Sequence, residues 1–491
     1  MNNKKQNENN FEAEKSKDLA IASNSSISKF FGFSKLNTTF KKEIIGGIST
    51  LLSMIYILSV EPGILGNAQS INDSKVTLDM NGIFLATALV SFLATFAMGM
   101  IANVPIALAP SMGVNAMFTF TVANSSGGVG YEGALIATCI SGVLFTIISA
   151  TKLRKIIIKS LPKSLHLDIG VGIGFFVAYV GIANIGWVKK SEDNLPIAEL
   201  NDFKMWYPAI ILGTVVLFAA IFLNFKKFFA PVAVVMLIGF IIAAILANTI
   251  NDQAIQNSFG SAKWDSSAWN YLDLFKGFGF NVSSTWKEIG NVAIWSNPTM
   301  YISLFVFVIL TFFDATGTIT AVNVEITRES GVETEIPHKA LLIDGTATVV
   351  GSFAGISNVG CYAESCVGVS QGARTGFASI VTSLGLLLSI AIFPIFQMMP
   401  SCITGAATVF IGTVMIKSIT GIEWEKPEMG LAAFFSILFM IITYNIANGI
   451  ALTIMAYTVG SLATGKVKQI NPVVWVLNVV FIAYFIANAF I

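Results

Sequence analysis

The sequence predicts an all-α, polytopic membrane protein with about fourteen transmembrane helices. Of its 491 residues, 54% are hydrophobic and 12% are charged, whereas a soluble globular domain carries about 25% charged residues. The charges are also unevenly placed, because 13 of them fall within the first 43 residues. The rest of the chain is therefore apolar enough for many helical spans, each of which needs about 20 residues.

The first segment, residues 1–40, is rich in Asn, Ser and Lys and shows little apolar periodicity. Such a composition is typical of a disordered arm. The segment contains no apolar core of the kind that signal peptides have. We therefore expect the N-terminus to remain in the cytoplasm.

Fourteen apolar segments follow this arm. They lie at 44–61, 82–102, 111–123, 132–151, 165–186, 207–225, 229–247, 299–320, 340–356, 361–372, 376–398, 403–421, 429–445 and 447–463. With the N-terminus inside, Lys and Arg gather mainly in the cytoplasmic loops, most densely at 152–163, as the positive-inside rule requires. A last apolar stretch, 472–491, predicts one more helix that spans the membrane, re-enters it or lies along its surface.

Two matching interruptions divide the fourteen spans into two sets of seven. In each half, the second span is followed by a Pro- and Gly-rich segment, 103–113 and 351–360, and then by a third span too short for a full crossing. Paired broken helices are typical of transporters, whose sites use the freed backbone groups near the membrane midplane. The alternative is that glycines such as Gly351 and Gly355 only allow close helix packing.

Three acids, Glu61, Asp314 and Glu364, lie within or at the edge of spans that contain no Lys or Arg. A carboxylate inside the membrane costs about 2.5–3.5 kcal/mol even on insertion scales, so such residues usually have a function. Glu364 follows the second Gly-rich break, where the alternative role is to cap a helix N-terminus. Asp314 lies halfway along its span, where the alternative is a local hydrogen bond. Glu61 lies near the outer interface, where we expect access to water.

Several function classes are excluded or disfavoured by the same composition. The formal net charge is +1 and there is no basic patch outside the chain ends and the loops, so binding to nucleic acid has no support. The two histidines, His166 and His338, have no ligand partner one helical turn away, so we expect no metal site. No constellation of His with Ser or a metal suggests an enzyme.

Four stretches of this sequence resemble a known family. They are KKEIIGGISTLLSMIYILSVEPGIL, NVPIALAPSMGVNAMFTF, FFDATGTITAVN and YAESCVGVSQGARTG. At these motifs the chain resembles the AzgA-type purine-base permeases of the nucleobase-cation symporter family, which is related to bacterial uracil and xanthine permeases. The resemblance covers about residues 40–470.

This resemblance implies a uracil-permease-like fold of two inverted seven-helix repeats. Short strands would begin spans 3 and 10, and the spans would form a core domain and a gate domain. The implied segments are 1–40 arm, 41–160 core, 161–250 gate, 251–298 outer loop, 299–400 core, 401–465 gate and 466–491 C-terminal helix.

The resemblance also implies roles for individual residues. Glu364 corresponds to the base-binding carboxylate, Asp314 to the acidic position of the eighth span, and Asn115 to the polar position of the third. The implied substrate-binding set is Glu364, Asp314, Asn115, Ser357, Tyr362 and Thr318. Five positions depart from the family pattern that the resemblance implies. Thr311 stands where a second acid is common, Glu61 where Asn is usual, Ser111 where Gly is usual, and Ile356 and Gly360 where Thr often appears.

These residues predict proton-coupled uptake of a purine base by alternating access. A carboxylate accepts hydrogen bonds from the N–H groups of a base, each worth about 1.5–3 kcal/mol. Because burial disfavours the charged form of an acid, Asp314 or Glu364 would take a proton outside and release it inside. We expect hypoxanthine and guanine more than adenine, because their N1–H suits a carboxylate acceptor.

Backbone N–H and C=O groups freed at 109–113 and 357–360 would form hydrogen bonds with the remaining edge of the base. Phe118, Phe312 or Phe313 would stack on its face.

Other activities remain open at this point. They are transport of xanthine or uracil, anion exchange by the same general fold, and a channel. The expected partners are a purine nucleobase, protons, the lipid bilayer and a second copy of the chain in a homodimer, with no cofactor and no metal. The expected location is the bacterial cytoplasmic (inner) membrane.

Overall fold

The computed structural model describes residues 25–124, 128–151, 163–190, 198–201, 203–226, 228, 230–264, 269–332, 338–443 and 445–490. Residues 1–24 of the predicted arm and most of the basic loop at 152–163 lie outside these described residues.

The first half of the chain is mainly helical. Its helices are α1 Ser26–Phe31, α2 Phe40–Met54, α3 Ile57–Leu65, α4 Met80–Ala97, α5 Met112–Ala116, α6 Gly130–Ala150, α7 Lys163–Ile185, α8 Phe203–Phe225 and α9 Pro231–Thr249. Helices α4 and α5 continue as π-helical turns, Met98–Ala102 and Met117–Ala123. The strands are β1 Leu108–Pro110, β2 Val188–Lys190 and β3 Ala198–Leu200, of which β2 and β3 pair antiparallel.

The second half begins with the outer-loop helices α10 Gln253–Phe259, α11 Tyr271–Lys287 and α12 Val292–Ser296. The later helices are α13 Pro298–Ser330, α14 His338–Phe353, α15 Ser365–Ser370, α16 Gly376–Leu388, α17 Phe393–Gln397, α18 Ser401–Ile416, α19 Pro427–Ile442, α20 Ile446–Ala463 and α21 Pro472–Phe490, with strand β4 at Val359–Cys361. The C-terminal α21 packs against α20, where Asn478 Nδ2 donates to Thr458 Oγ1 at 2.8 Å.

Within the described part of the chain, nine helices are long and apolar enough to cross a membrane. They are Phe40–Leu65, Met80–Ala102, Gly130–Ala150, Leu167–Ile185, Phe203–Phe225, Pro231–Thr249, Pro298–Ser330, Gly376–Gln397 and Ser401–Gly421. Shorter apolar helices lie at three further predicted spans and at the predicted C-terminal helix, namely Met112–Ala123, Pro427–Ile442, Asn448–Ala463 and Pro472–Ile482. The class of polytopic helical membrane protein is confirmed, while the exact fourteen crossings and the inverted repeat stay predictions.

Both Pro- and Gly-rich segments interrupt the helices, as expected. Between α4 and α5 the chain passes through Asn103, which has a left-handed φ of 55°, and then forms β1. Between α14 and α15 it forms β4. The two strands pair antiparallel, with Leu108 opposite Cys361 and Pro110 opposite Val359. The expected strands at the starts of spans 3 and 10 are thus present, and they join the two broken helices.

The helices pack in two groups. The first group contains α2–α6 and α13–α16, with close pairs such as α6 with α14 and α2 with α16. The second group contains α7–α9 and α18–α20, in which α7 packs against both α18 and α19. Fewer contacts join the groups, mainly where α3 meets α18 and α5 meets α7. The boundary between the groups is therefore the natural place for a cavity.

The end of the N-terminal arm is ordered, contrary to the prediction of disorder up to residue 40. Phe31 and Phe33 are buried, and their ring centroids lie 5.7 Å and 5.9 Å from that of Phe377 in α16. Asn103 Nδ2 also donates to the carbonyl of Phe31 at 3.0 Å. The aromatic rings bury apolar area against the first helix group, which offsets the entropy of ordering this segment.

Glu43 joins α2 to the start of α16. The fully buried carboxylate accepts four hydrogen bonds, from Thr38 Oγ1 (2.7 Å), Arg374 N (2.9 Å), Thr375 N (3.3 Å) and Ala378 N (3.3 Å). We expect Glu43→Ala to destabilise the detergent-solubilised protein by about 1–3 kcal/mol, because it leaves buried donors without an acceptor. Thermal unfolding would measure this loss. The exposed Glu423, paired with Lys426 at 2.8 Å, is the control, since Glu423→Ala should change stability little; equal effects of both variants would contradict the prediction.

Candidate functional site

A cavity of about 420 Å³ lies between the two helix groups. Its polar lining comes mainly from the first group, around the paired strands β1 and β4. Its apolar lining comes mainly from the second group, including Phe410, Ile411 and Val414 of α18. A site with a few polar side chains on one wall and an apolar wall opposite suits a flat molecule with polar edges.

Glu364 lines this cavity directly after β4. Although it occupies the N-cap position of α15, its side chain makes no capping hydrogen bond. Its Oε1 instead accepts a hydrogen bond from Tyr56 Oη at 2.5 Å. The capping role is therefore not what the structure shows. The carboxylate is held at the junction of α2 and α3, where it faces the cavity.

Asp314 lies on α13 and also lines the cavity. Its Oδ2 accepts a hydrogen bond at 2.7 Å from Ser111 Oγ, at the start of α5. The donor Ser111 belongs to the broken third span and not to α13, so the alternative of a local hydrogen bond is not observed. Asp314 keeps solvent-accessible surface in the cavity, and Thr318, one turn later on α13, lines the same wall.

Tyr362 completes the polar wall of the cavity. Its hydroxyl donates to the carbonyl of Pro110 at 2.5 Å, and its backbone N–H donates to the carbonyl of Ala107 at 2.9 Å. Both bonds run from the end of β4 to β1. Tyr362 therefore fixes the strand pair from which Glu364 extends.

Asn115 and Ser357, which belong to the predicted substrate-binding set, lie in a separate buried cluster with Glu61. Asn115 Nδ2 donates to Glu61 Oε2, and Ser357 Oγ donates to Asn115 Oδ1. All three side chains are 0% exposed, and none of them lines the cavity. The expectation that Glu61 has access to water is wrong, because its side chain is buried where α3 packs against α4, α5 and α18.

The backbone groups expected to read the base are partly used within the protein. The N–H of Ser111 donates to the carbonyl of Asn358 at 2.8 Å, and the strand register engages residues 108–110 with 359–361. The stacking candidates also differ. Phe118 and Phe312 are buried in the core, whereas Phe313 has no described side chain. The aromatic surfaces of the cavity are Tyr56, Tyr362 and Phe410.

Asp344 is a buried acid that the sequence reasoning missed. It lies on α14, is 0% exposed, and neither carboxylate oxygen has a hydrogen-bond partner among the described residues. A Cβ placed on Gly360 would lie 3.5 Å from Asp314 Oδ2 and 4.0 Å from Asp344 Oδ1, so the two acids flank this glycine of β4. The sequence signal that could have identified Asp344 is the presence of an acid inside the apolar stretch 340–356.

Asp168 of α7 is also fully buried, and neither of its carboxylate oxygens has a hydrogen-bond partner among the described residues.

Residues 41–487 of the chain match the family model described as Permease family (Xan_ur_permease). The chain belongs to this family. The resemblance inferred from the four motifs is thereby confirmed. Guanine/hypoxanthine permease PbuG of Bacillus subtilis is 33% identical over 466 residues, which are 93% of this chain and 99% of that protein. Adenine permease AdeQ of Escherichia coli is 29% identical, covering 94% of this chain and 97% of that protein.

Solved structures support the fold of this family member. The transmembrane domain of the cyanobacterial bicarbonate transporter BicA superposes with a TM-score of 0.55 at 15% identity, covering 86% of this chain and 97% of that one. The murine Slc26a9 anion transporter in the inward-facing state gives a TM-score of 0.54 at 12% identity, covering 86% of this chain and 69% of that one. At these identities the likeness concerns the fold.

Proposed function

We propose that this member of the Permease family takes up purine nucleobases together with protons by alternating access. The observation that carries the proposal is the pair of carboxylates that face one cavity, Glu364 from the segment after β4 and Asp314 from the uninterrupted helix α13. The printed names of PbuG and AdeQ support a purine base as the substrate.

The base would bind with one N–H edge toward Glu364. The carboxylate already accepts from Tyr56 Oη, and its free lone pairs can accept one or two further donors. Guanine offers N1–H with its 2-amino group, and hypoxanthine offers N1–H. Adenine offers a donor only beside an acceptor nitrogen. We therefore propose guanine and hypoxanthine first, with adenine, xanthine and uracil as the competing bases.

The first helix group would act as the core domain and the second as the gate domain. The cavity reaches Asn224 at the end of α8, Pro231 at the start of α9 and Lys417 after α18. These helix ends face the side that the charge pattern predicts to be cytoplasmic, so the structure represents an inward-facing arrangement in this proposal. Rocking of the core against the gate would then present Glu364 and Asp314 to the outside.

Anion transport, the activity named for the two structural neighbours, fits this cavity less well. Two acids line it, and Lys417 at its mouth is the one basic residue among its described lining residues. A bound anion close to Glu364 and Asp314 would be repelled. A neutral base with N–H donors instead compensates the desolvation of these acids.

The test is uptake of labelled guanine, hypoxanthine, adenine, uracil and bicarbonate into a permease-deficient bacterial host. We expect saturable uptake of guanine or hypoxanthine that a protonophore abolishes. Cells carrying the empty vector provide the background. Saturable bicarbonate uptake with no purine uptake would replace the proposal with anion transport, and uptake insensitive to the protonophore would remove proton coupling from it.

A further inference from the structure

Glu61 lies in a part of the fold that carries no opposite charge. Its helix, α3, packs mainly against α4, α5 with its π-helical extension, β1, α17 and α18. None of these elements contains Lys, Arg, His, Asp or Glu, and their one titratable side chain is the buried thiol of Cys402. Tyr362, whose hydroxyl donates to Pro110 of β1, is a titratable group on the cavity side. Among the described elements that pack against α3, an ionised Glu61 would therefore have no cation to stabilise it.

Glu61 also accepts fewer hydrogen bonds than two other buried glutamates of the chain, Glu43 and Glu132. Glu43 accepts four hydrogen bonds, and Glu132 accepts two, from Ser70 Oγ and the N–H of Ile71. Glu61 accepts one, from Asn115 Nδ2, and its Oε1 has no partner among the described residues. A buried carboxylate with one neutral donor is strongly disfavoured in its charged form.

We propose that Glu61 is a proton-binding site of this permease, separate from the substrate cavity, and that it holds a proton whenever the outer side of the protein is closed. The proton comes from water on the outer face and forms an O–H bond at the carboxyl group. Closing the outer side buries Glu61, and burial requires the neutral acid. The role in transport rests on the proposed function, whereas the protonated state of Glu61 does not.

The position of Glu61 explains how its proton would affect the site. Asn115 connects Glu61 in α3 to Ser357, which lies just before β4. One chain of hydrogen bonds therefore joins α3, α5 and the segment that leads into β4. Because α3 also contacts α18 of the second helix group, separation of the two groups on the outer side would give Glu61 access to water. Protonation and closure are thus linked.

Infrared spectroscopy tests the protonated state directly. We expect the wild-type protein to show carbonyl stretching bands of protonated carboxylic acids, of which Glu61→Gln removes one component and Glu61→Asp retains that component at a shifted position. Glu132 is the matched control, because it is 2% exposed but has two donors. Glu132→Gln should remove carboxylate bands and leave the protonated-acid band. An unchanged protonated-acid band in Glu61→Gln would overturn the proposal, and loss of a carboxylate band there would do the same.

Transport in proteoliposomes tests the linkage to closure. A step that needs one proton slows about tenfold for each unit of rising external pH once the acid is mostly ionised. In Glu61→Gln we expect the maximal rate to fall less steeply with rising external pH, by about a factor of ten less for each pH unit than in the wild type. The KM for the base should be unchanged. Glu132→Gln should keep the wild-type pH profile. An unaltered pH profile in Glu61→Gln would overturn the proposal, whereas absence of base uptake by the wild type would refute the proposed function and leave the infrared result to decide on Glu61.

Discussion

Replacement of Glu364 by Gln should abolish saturable purine uptake. The substitution keeps the size of the side chain and an oxygen that can accept from Tyr56 Oη, so the local fold should persist. It removes the charge and replaces one acceptor by an NH₂ group, which would face the N–H donors of the base. Losing a charge-assisted hydrogen bond and gaining an unpaired donor each cost about 1.5–3 kcal/mol. Binding should therefore weaken by at least two orders of magnitude.

Uptake of labelled guanine and binding to the purified protein would both measure this effect. Tyr56→Phe is an informative companion, because it removes the donor to Glu364 (2.5 Å) and leaves the carboxylate. We expect that variant to keep uptake with an altered KM. Glu423→Gln, at an exposed position, should behave as the wild type. Wild-type binding by Glu364→Gln would remove this residue from the substrate site.

The broken helices could be predicted from the sequence because their causes are local. Pro105 and Pro110 interrupt the helix hydrogen bonds in the first break, and the glycines of 351–360 remove side-chain constraints in the second. The acids Asp314 and Glu364 were also visible, since a carboxylate in an apolar span is rare. Local composition thus located the two segments that line the cavity.

The partners of these acids could not be predicted, because they come from distant parts of the chain. Ser111 and Asp314 are 203 residues apart, and Tyr56 and Glu364 are 308 apart. The depth of Glu61 was misjudged for a related reason. Counting along one helix places it near the outer surface, but its side chain is buried where α3 packs against α4, α5 and α18. Burial that depends on packing against distant helices has no signature in the helix itself.

The second large effect should follow from Asp314→Asn. Asn retains an oxygen that accepts from Ser111 Oγ, so the strand pair and the cavity should keep their shape. Asn cannot release a proton, however, and the proposed mechanism needs an acid in the cavity that is charged in one state and neutral in another. We expect this variant to exchange labelled for unlabelled guanine across the membrane, while losing accumulation driven by a proton gradient.

Asp344 is the second acid that this experiment must test, because it also lies beside Gly360 and could carry the same proton. Asp314 keeps solvent-accessible surface in the cavity, whereas Asp344 is fully buried, so exchange of protons with water favours Asp314. Proteoliposomes carrying Asp314→Asn or Asp344→Asn should be compared for exchange and for proton-driven accumulation. Coupled accumulation in Asp314→Asn together with uncoupled exchange in Asp344→Asn would move the coupling proton to Asp344. Loss of coupling in Asp314→Asn, with coupled accumulation retained in Asp344→Asn, would assign the coupling proton to Asp314.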